Sequence, residues 1–192
     1  MIPSSQQILV ILDLDETLIH ATTKPVYPNW DFELAQYKVY IRPGLGLFLS
    51  ELKKMFRVAV WSSASDDYVE KVVEKIFPKG YPLEFTWGRS KCTLQHDKSI
   101  LERDGFSDYY SHLSYVKPLR KVRKKRFGSI EKILIVDDTP SKSKLNYGNA
   151  IYPCEFTGNP ADNELSKLSV YLESLSTAYN VRVIENRSRR EK

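Results

Sequence analysis

An α/β sandwich around a mainly parallel sheet is the fold class this sequence predicts, and three observations predict it. Short apolar runs, Ile8–Leu12, Phe56–Trp61 and Ile133–Val136, suit strands buried on both faces. The stretches between them repeat their apolar residues at helical spacing, the alternation that builds βαβ units. Each run also ends in polar residues: Asp13, Asp15 and Thr17 after the first, Ser62 after the second, Asp137 and Asp138 after the third. Parallel strands bring such ends to one sheet edge, where open α/β sheets hold their ligands.

In chain order, Ile8–Leu12 runs into Asp13-Leu14-Asp15-Glu16-Thr17. If the backbone stays extended through Asp15, positions i and i+2 share a side and both aspartates face one crevice. The plainer alternative has one Asp capping a helix and the other in solvent. Ala21–Asn29, with Pro25 and Pro28, reads as a loop. Trp30–Arg42 alternates loosely and predicts one or two strands, as in a hairpin beside the main sheet. Pro43 suits the first turn of a helix, which Leu45, Phe48, Leu49 and Leu52 carry to Met55. After the Phe56–Trp61 strand, a second helix shows the stripe Tyr68, Val69, Val72, Val73 and Ile76. Phe77–Gly80 ends it, and Leu83–Trp87 and Cys92–Gln95 are expected as strands flanking a turn at Gly88. Ser99–Val116 carries no assignment. Lys117 is extended before Pro118, which opens a short helix. Beyond Ile133–Val136, Gly148–Tyr152 predicts a short strand. Asp162 or Asn163 then caps a helix with the stripe Leu165, Leu168, Val170, Leu172 and Leu175. Residues 1–180 are expected as one domain and 181–192 as a basic tail.

The composition agrees with this. A chain of 192 residues, 42% hydrophobic and 28% charged, suits one globular domain with a full core. No apolar run approaches the ~20 residues of a membrane span, and no signal peptide is expected. Cys92 and Cys154 are expected as free thiols in a reducing, intracellular setting. The net charge of +5 is local: Lys117–Arg126 holds seven of the 29 basic residues, and the other 22 face 24 acids.

Carboxylates converging on one sheet edge, without a His or Cys cluster, describe a hard oxygen site suited to Mg²⁺. A hydroxyl (Ser62) and a lysine (Lys117) beside them complement a phosphoryl group, whose transfer asks for positioning and charge neutralisation. No P-loop pattern is present. Carboxylate pairs of the glycosidase kind leave the hydroxyl and the lysine unexplained.

DLDETLIH, VAVWSSAS, YVKPL and ILIVDDTP, in that order, resemble the haloacid dehalogenase superfamily, and within it the FCP/SCP-like protein phosphatases. The resemblance covers roughly Ile8 to Thr177 and extends to RPGL, WGRSKC and NELSKL. It implies a three-layer sandwich around a Rossmann-like sheet, no large cap, and a small β insertion between Ser62 and Lys117. It implies a Mg²⁺-dependent phosphatase acting on a phosphoprotein or phosphopeptide (Ser/Thr, with Tyr open) through an aspartyl-phosphate. Asp13 is then the nucleophile and Asp15 the general acid, its main-chain carbonyl also reaching the metal. Asp13 and Asp138 supply side-chain ligands, and Asp137 braces the metal or Lys117. Ser62 and Lys117 hold the phosphate, Thr17 steadies the loop on the phosphate side, and Arg89 contacts substrate. The chain departs from the family where Ser62 replaces the common Thr and where Asp138 replaces the Asn of small CTD phosphatases. An uncapped site admits a protein substrate.

Other readings stand beside these. Ser62 also suits a helix cap, Lys117 a solvated face, and Asp137-Asp138 a turn. His20, His96 and His112 are scattered and read as structural or surface residues. Tyr27, Trp30, Trp61 and Trp87 read as core or hairpin packing. The basic run is a solvated helix face first, then an attractor for acidic substrates, then a nuclear-import or nucleic-acid patch. A polynucleotide 3′-phosphatase is the competing function, and a receiver-type signalling module a third. The expected protein is a monomer, intracellular (cytoplasmic, or nuclear in a eukaryote) and free of membrane.

Overall fold

The structure is a computed structural model that describes residues 7–96, 113–146 and 148–184. A five-stranded parallel sheet forms its centre. The strands are β1 (Leu9–Leu12), β5 (Arg57–Trp61), β6 (Leu83–Trp87), β9 (Ile133–Val136) and β10 (Ala150–Ile151), in the order β10-β9-β1-β5-β6. A three-stranded antiparallel sheet follows β1 in sequence: β2 (Ile19–Thr22), β3 (Phe32–Leu34) and β4 (Tyr37–Ile41), ordered β2-β4-β3. A two-stranded antiparallel sheet of β7 (Thr93–His96) and β8 (Leu113–Val116) lies between Ser62 and Lys117 in the chain. Among the described residues the helices are α1 (Leu45–Met55), α2 (Asp66–Ile76), the short α3 (Arg120–Lys124) and α4 (Glu164–Leu175).

The apolar strands are buried on both sides, as their composition requires. Alternate residues serve opposite layers. Ile8, Val10 and Leu12, with Val58, Val60, Leu134 and Val136, pack against α1, α2 and α4 through Leu49, Leu52, Val69, Val72, Leu168 and Leu172. Leu9 and Ile11, with Ala59, Trp61, Ile133 and Ile135, pack against Leu119, Val122 and Phe85. β1 pairs in register with both neighbours, Leu12 opposite Val60 on one side and Val136 on the other. That register sets Asp13 level with the ends of β5 and β9.

Several local expectations shift. Gly44, at φ +82°, is the residue ahead of α1, so Pro43 stands before the helix rather than in its first turn. Leu83–Trp87 and Thr93–His96 are strands on either side of Gly88 and a 3₁₀ turn over Arg89–Lys91, as expected, but they belong to different sheets. β6 extends the main sheet beside β5, while β7 pairs with β8. Alternation alone does not specify a partner. Val170, placed in the buried stripe of α4, is 69% exposed; the stripe that packs is Leu165, Leu168, Leu172 and Leu175. Val181 is fully buried in the core, in a 3₁₀ turn over Val181–Val183. Cys92 and Cys154 are free. His112, most of the unassigned stretch up to 112, and the tail from 185 lie outside the described residues.

Candidate active site

The carboxyl ends of β1, β5 and β9 carry the polar cluster. The sheet hydrogen bonding continues one residue past each strand. Asp13 N–H donates to the Val136 carbonyl (2.9 Å), Ser62 N–H to Trp87 (2.9 Å) and Asp137 N–H to Ile151 (3.1 Å). Beyond Asp13 the chain closes a tight turn, with Leu18 N–H on the Leu14 carbonyl (2.7 Å). Glu16 adopts φ +60° inside it. Leu14 and Leu18 are buried beneath. The loop is thus anchored by the apolar side chains beneath it.

Asp13 is 1% exposed and lies between two ammonium groups. Its Oδ1 accepts the Leu14 N–H (2.8 Å) and pairs with Lys117 Nζ (2.8 Å), while Lys142 Nζ stands 3.4 Å from Oδ2. Lys117, fully buried, also reaches Asp137 Oδ2 at 2.7 Å. Its carbonyl takes the Asn146 side-chain amide at 2.7 Å. Burial acts to raise Asp13, but Lys117, Lys142 and the two N–H donors together hold it below the ordinary carboxylate value. Burial acts to lower Lys117, and Asp13 and Asp137 overcome it, so the ammonium keeps its charge. Asp137 is pushed up to about 6, by burial first.

Asp15, two residues on, meets different surroundings. Tyr68 donates to its Oδ1 (2.8 Å) and Ser62 to its Oδ2 (3.3 Å). Burial, then the charge of Asp13, raises it above an ordinary aspartate. The same carboxylate, with burial, raises the Tyr68 phenol. Two aspartates on one loop are therefore pushed in opposite directions, the arrangement that separates an ionised group from a proton carrier.

Asp13, Asp137 and Asp138 each offer a carboxylate oxygen within 4.8 Å of the others. Three hard oxygen donors at this spacing fit a divalent cation of the Mg²⁺ kind. Thr17, fully buried, takes the Asp138 N–H and donates back to Asp138 Oδ1, both at 3.2 Å. Thr17 therefore orients a carboxylate of this cluster. Ser62 is 1% exposed and accepts the Ala64 N–H (3.0 Å) besides facing Asp15.

Arg89 lies farther out. Its Nε donates to the Ser63 carbonyl (2.9 Å), and its guanidinium stacks over Tyr115 at 5.2 Å. With Asp15, Glu16, Tyr37 and Tyr68 it borders an open cavity of about 310 Å³. The fold thus gathers Asp13, Asp15, Thr17, Ser62, Lys117, Asp137 and Asp138 at one edge, with Arg89 on the rim. Three contributors were not visible beforehand. Tyr68 reads in the sequence as part of a helical stripe, although a tyrosine at the margin of such a stripe carries a polar tip that needs a partner. Lys142 sits five residues past Asp137, with no pattern of its own. Arg42, fully buried, donates to the Thr17 carbonyl (2.9 Å) and to both carboxylate oxygens of Asp162 (2.8 and 2.9 Å).

The sequence pattern of NLI interacting factor-like phosphatases matches residues 8–182. Nuclear envelope morphology protein 1 of Saccharomyces cerevisiae is 28% identical over 191 residues, covering 91% of this chain and 40% of that protein. The human carboxy-terminal domain RNA polymerase II polypeptide A small phosphatase 1 is 26% identical over 185 residues, covering 92% and 62%. The chain thus spans about two fifths to three fifths of these relatives. Among solved structures, Fcp1, an essential RNA polymerase II CTD phosphatase, superposes with a TM-score of 0.65 at 15% identity, over 93% of this chain and 69% of that one. The fission yeast Fcp1 bound to beryllium fluoride gives 0.64 at 14%, over 93% and 70%. With a match across nearly its whole length, the chain belongs to the NLI interacting factor-like phosphatase family, within the haloacid dehalogenase fold.

Proposed function

We propose that this protein is a divalent-metal-dependent phosphatase that hydrolyses phosphomonoesters on protein side chains through an aspartyl-phosphate on Asp13. The observation that carries this reading is the contrast between two carboxylates on one loop: Asp13 lies between the ammonium groups of Lys117 and Lys142, whereas Asp15 meets the hydroxyls of Tyr68 and Ser62. Asp13 attacks phosphorus, and its bond to phosphorus forms as the bond to the leaving oxygen breaks. Asp15 gives its proton to that oxygen. In the second half Asp15 takes a proton from water, which attacks the phosphoryl group and frees Asp13. Lys117 keeps Asp13 ionised and presents positive charge beside the transferred group. Ser62 aligns Asp15, and Tyr68 fixes its other oxygen. Asp13, Asp137 and Asp138, with the Asp15 carbonyl, would hold Mg²⁺, which supplies charge neutralisation on the phosphoryl oxygens when bound. The family membership and the open rim at Arg89, Tyr37 and Tyr68 support a protein-borne substrate. The human relative's name, a carboxy-terminal domain RNA polymerase II polypeptide A small phosphatase, supports testing phosphorylated protein segments first, phospho-Ser/Thr before phospho-Tyr.

The experiment is hydrolysis of p-nitrophenyl phosphate and of phosphopeptides with Mg²⁺, then with EDTA. The expected results are loss of turnover in EDTA and in Asp13→Asn; full turnover by Asp13→Asn would end the covalent mechanism. A second reading, a polynucleotide 3′-phosphatase, draws on the exposed Arg120, Arg123, Lys124, Lys125 and Arg126 along and just beyond α3. It predicts turnover of a 3′-phosphorylated oligonucleotide that falls steeply with salt.

A further inference from the structure

The two oxygens of Asp13 are unequally engaged. Oδ1 already accepts the Leu14 N–H and the Lys117 ammonium, each at 2.8 Å. Oδ2 is the oxygen left for a cation or a phosphorus atom, and the Lys142 ammonium stands beside it at 3.4 Å. That separation exceeds the 2.7–2.9 Å of a short charge-assisted bond, such as the two that clamp Lys117. Lys142 rises from the 3₁₀ turn Pro140–Ser143, directly after Asp137 and Asp138, and its charge interacts with Asp13, Asp137 and Asp138 together. Its side chain is 24% exposed where that of Lys117 is wholly enclosed. An ammonium on a flexible four-carbon stem, loosely held and open to solvent, can leave the cluster without breaking the fold.

We propose that Lys142 is a tethered counter-ion: its ammonium balances Asp13, Asp137 and Asp138 when no divalent cation is bound and moves toward solvent as one binds, so that Lys142 sets the cation affinity of the site. This rests on the reading of the three carboxylates as a divalent-cation seat. The physical reason is competition. Three carboxylates within 4.8 Å of one another repel strongly in a buried setting, and a monovalent ammonium relieves part of that repulsion. A divalent ion relieves more but meets the ammonium as a like charge at the same oxygens. Holding the cluster without metal and weakening its grip on metal are then two effects of one side chain.

The test is Mg²⁺ titration by isothermal calorimetry and thermal melting in EDTA and in Mg²⁺, on the full chain. Wild type is compared with Lys142→Met, Lys142→Arg and the remote surface change Lys124→Met. Lys142→Met is expected to bind Mg²⁺ about tenfold more tightly or better, and to melt below wild type in EDTA. Lys142→Arg, which keeps the charge, is expected to bind as weakly as wild type, and Lys124→Met within about twofold of it. If wild type binds Mg²⁺ and Lys142→Met binds it no more tightly, the counter-ion role is refuted while the metal reading stands. If Lys142→Arg tightens binding as much as Lys142→Met, charge is not the cause and the proposal fails. If no variant binds Mg²⁺ or Mn²⁺, the metal reading falls and this proposal with it. Circular dichroism of each variant confirms that the comparison is between folded proteins.

Discussion

Removing the Asp162 carboxylate should unlock the segment that holds the acid loop in place. Arg42 is fully buried and makes four bonds of 2.8–2.9 Å, two to Asp162 and one each to the carbonyls of Thr17 and Cys154. Its guanidinium also stands 5.2 Å from the Phe156 ring. Breaking a buried ion pair from one side costs about 3–5 kcal/mol, because the remaining charge stays buried without its partner. Asp162 retains 16% exposure and Arg42 would keep two carbonyls, so water and backbone offset part of this. Loss of the Asp162 bond to the Glu164 N–H at the start of α4 (2.9 Å) adds about 1 kcal/mol, the usual net value of one hydrogen bond. Asp162→Ala is therefore expected to lose about 3–4 kcal/mol, a large part of an ordinary domain's 5–15 kcal/mol. Urea unfolding followed by tryptophan fluorescence measures it, with an unchanged m-value as the check on two-state behaviour. The double variant Arg42→Met/Asp162→Leu should be more stable than Asp162→Ala, since it leaves no uncompensated charge. A single-variant loss below about 1 kcal/mol, or a double variant less stable than the single, refutes the reasoning.

The same pair predicts a pH dependence. Burial acts to raise Asp162, but the Arg42 bonds, the Glu164 N–H and the Arg42 charge hold it below the ordinary aspartate value. A carboxylate whose folded-state pKa is depressed contributes stability above its unfolded-state pKa and loses that contribution as pH falls through the folded value. The gap in stability between wild type and Asp162→Ala should therefore be constant near neutrality and close below about pH 4. A gap that widened on acidification would contradict the sign.

Other predictions concern the acid loop and one tight backbone approach. Asp15→Asn should cripple turnover far more than Mg²⁺ affinity measured by calorimetry, since the proposed metal contact of Asp15 is its main-chain carbonyl. Tyr68→Phe removes a donor that favours the Asp15 carboxylate, so Asp15 should titrate higher and the alkaline limb of kcat/KM should move up by about half to one pH unit. A limb that moved down would sink that assignment. A Cβ at Gly88 would lie 2.7 Å from the Asp66 backbone, so Gly88→Ala should cost about 1–3 kcal/mol in urea unfolding.

Much of this architecture was legible beforehand because burial on both faces leaves a direct mark on composition. Ile8–Leu12 and Ile133–Val136 have no polar positions, and only a strand enclosed by two layers tolerates that. The helical stripes of α1 and α2 were equally plain, since one packed face fixes the spacing of leucines and valines. Asp13/Asp15, Ser62 and Asp137/Asp138 were likewise legible as one cluster, because parallel strands leave all their carboxyl ends on one edge, whereas Lys117 reaches it from the end of β8, outside that sheet.

What the sequence could not determine were relations between distant segments. The partner of Leu83–Trp87 depended on which sheet edge was open, and alternation says nothing of that. Val170 looked apolar enough for the core, yet the helix turns it to solvent. Tyr68, Lys142 and Arg42 belong to the site through contacts spanning 53, 129 and 25 residues, which no local pattern encodes. The electrostatic division of labour at the acid loop is also a tertiary result. Sequence placed two aspartates two residues apart, but only the fold put lysines beside Asp13 and a phenol beside Asp15. Charge acts through space rather than along the chain, so identical side chains acquire opposite protonation preferences from what folding sets against them.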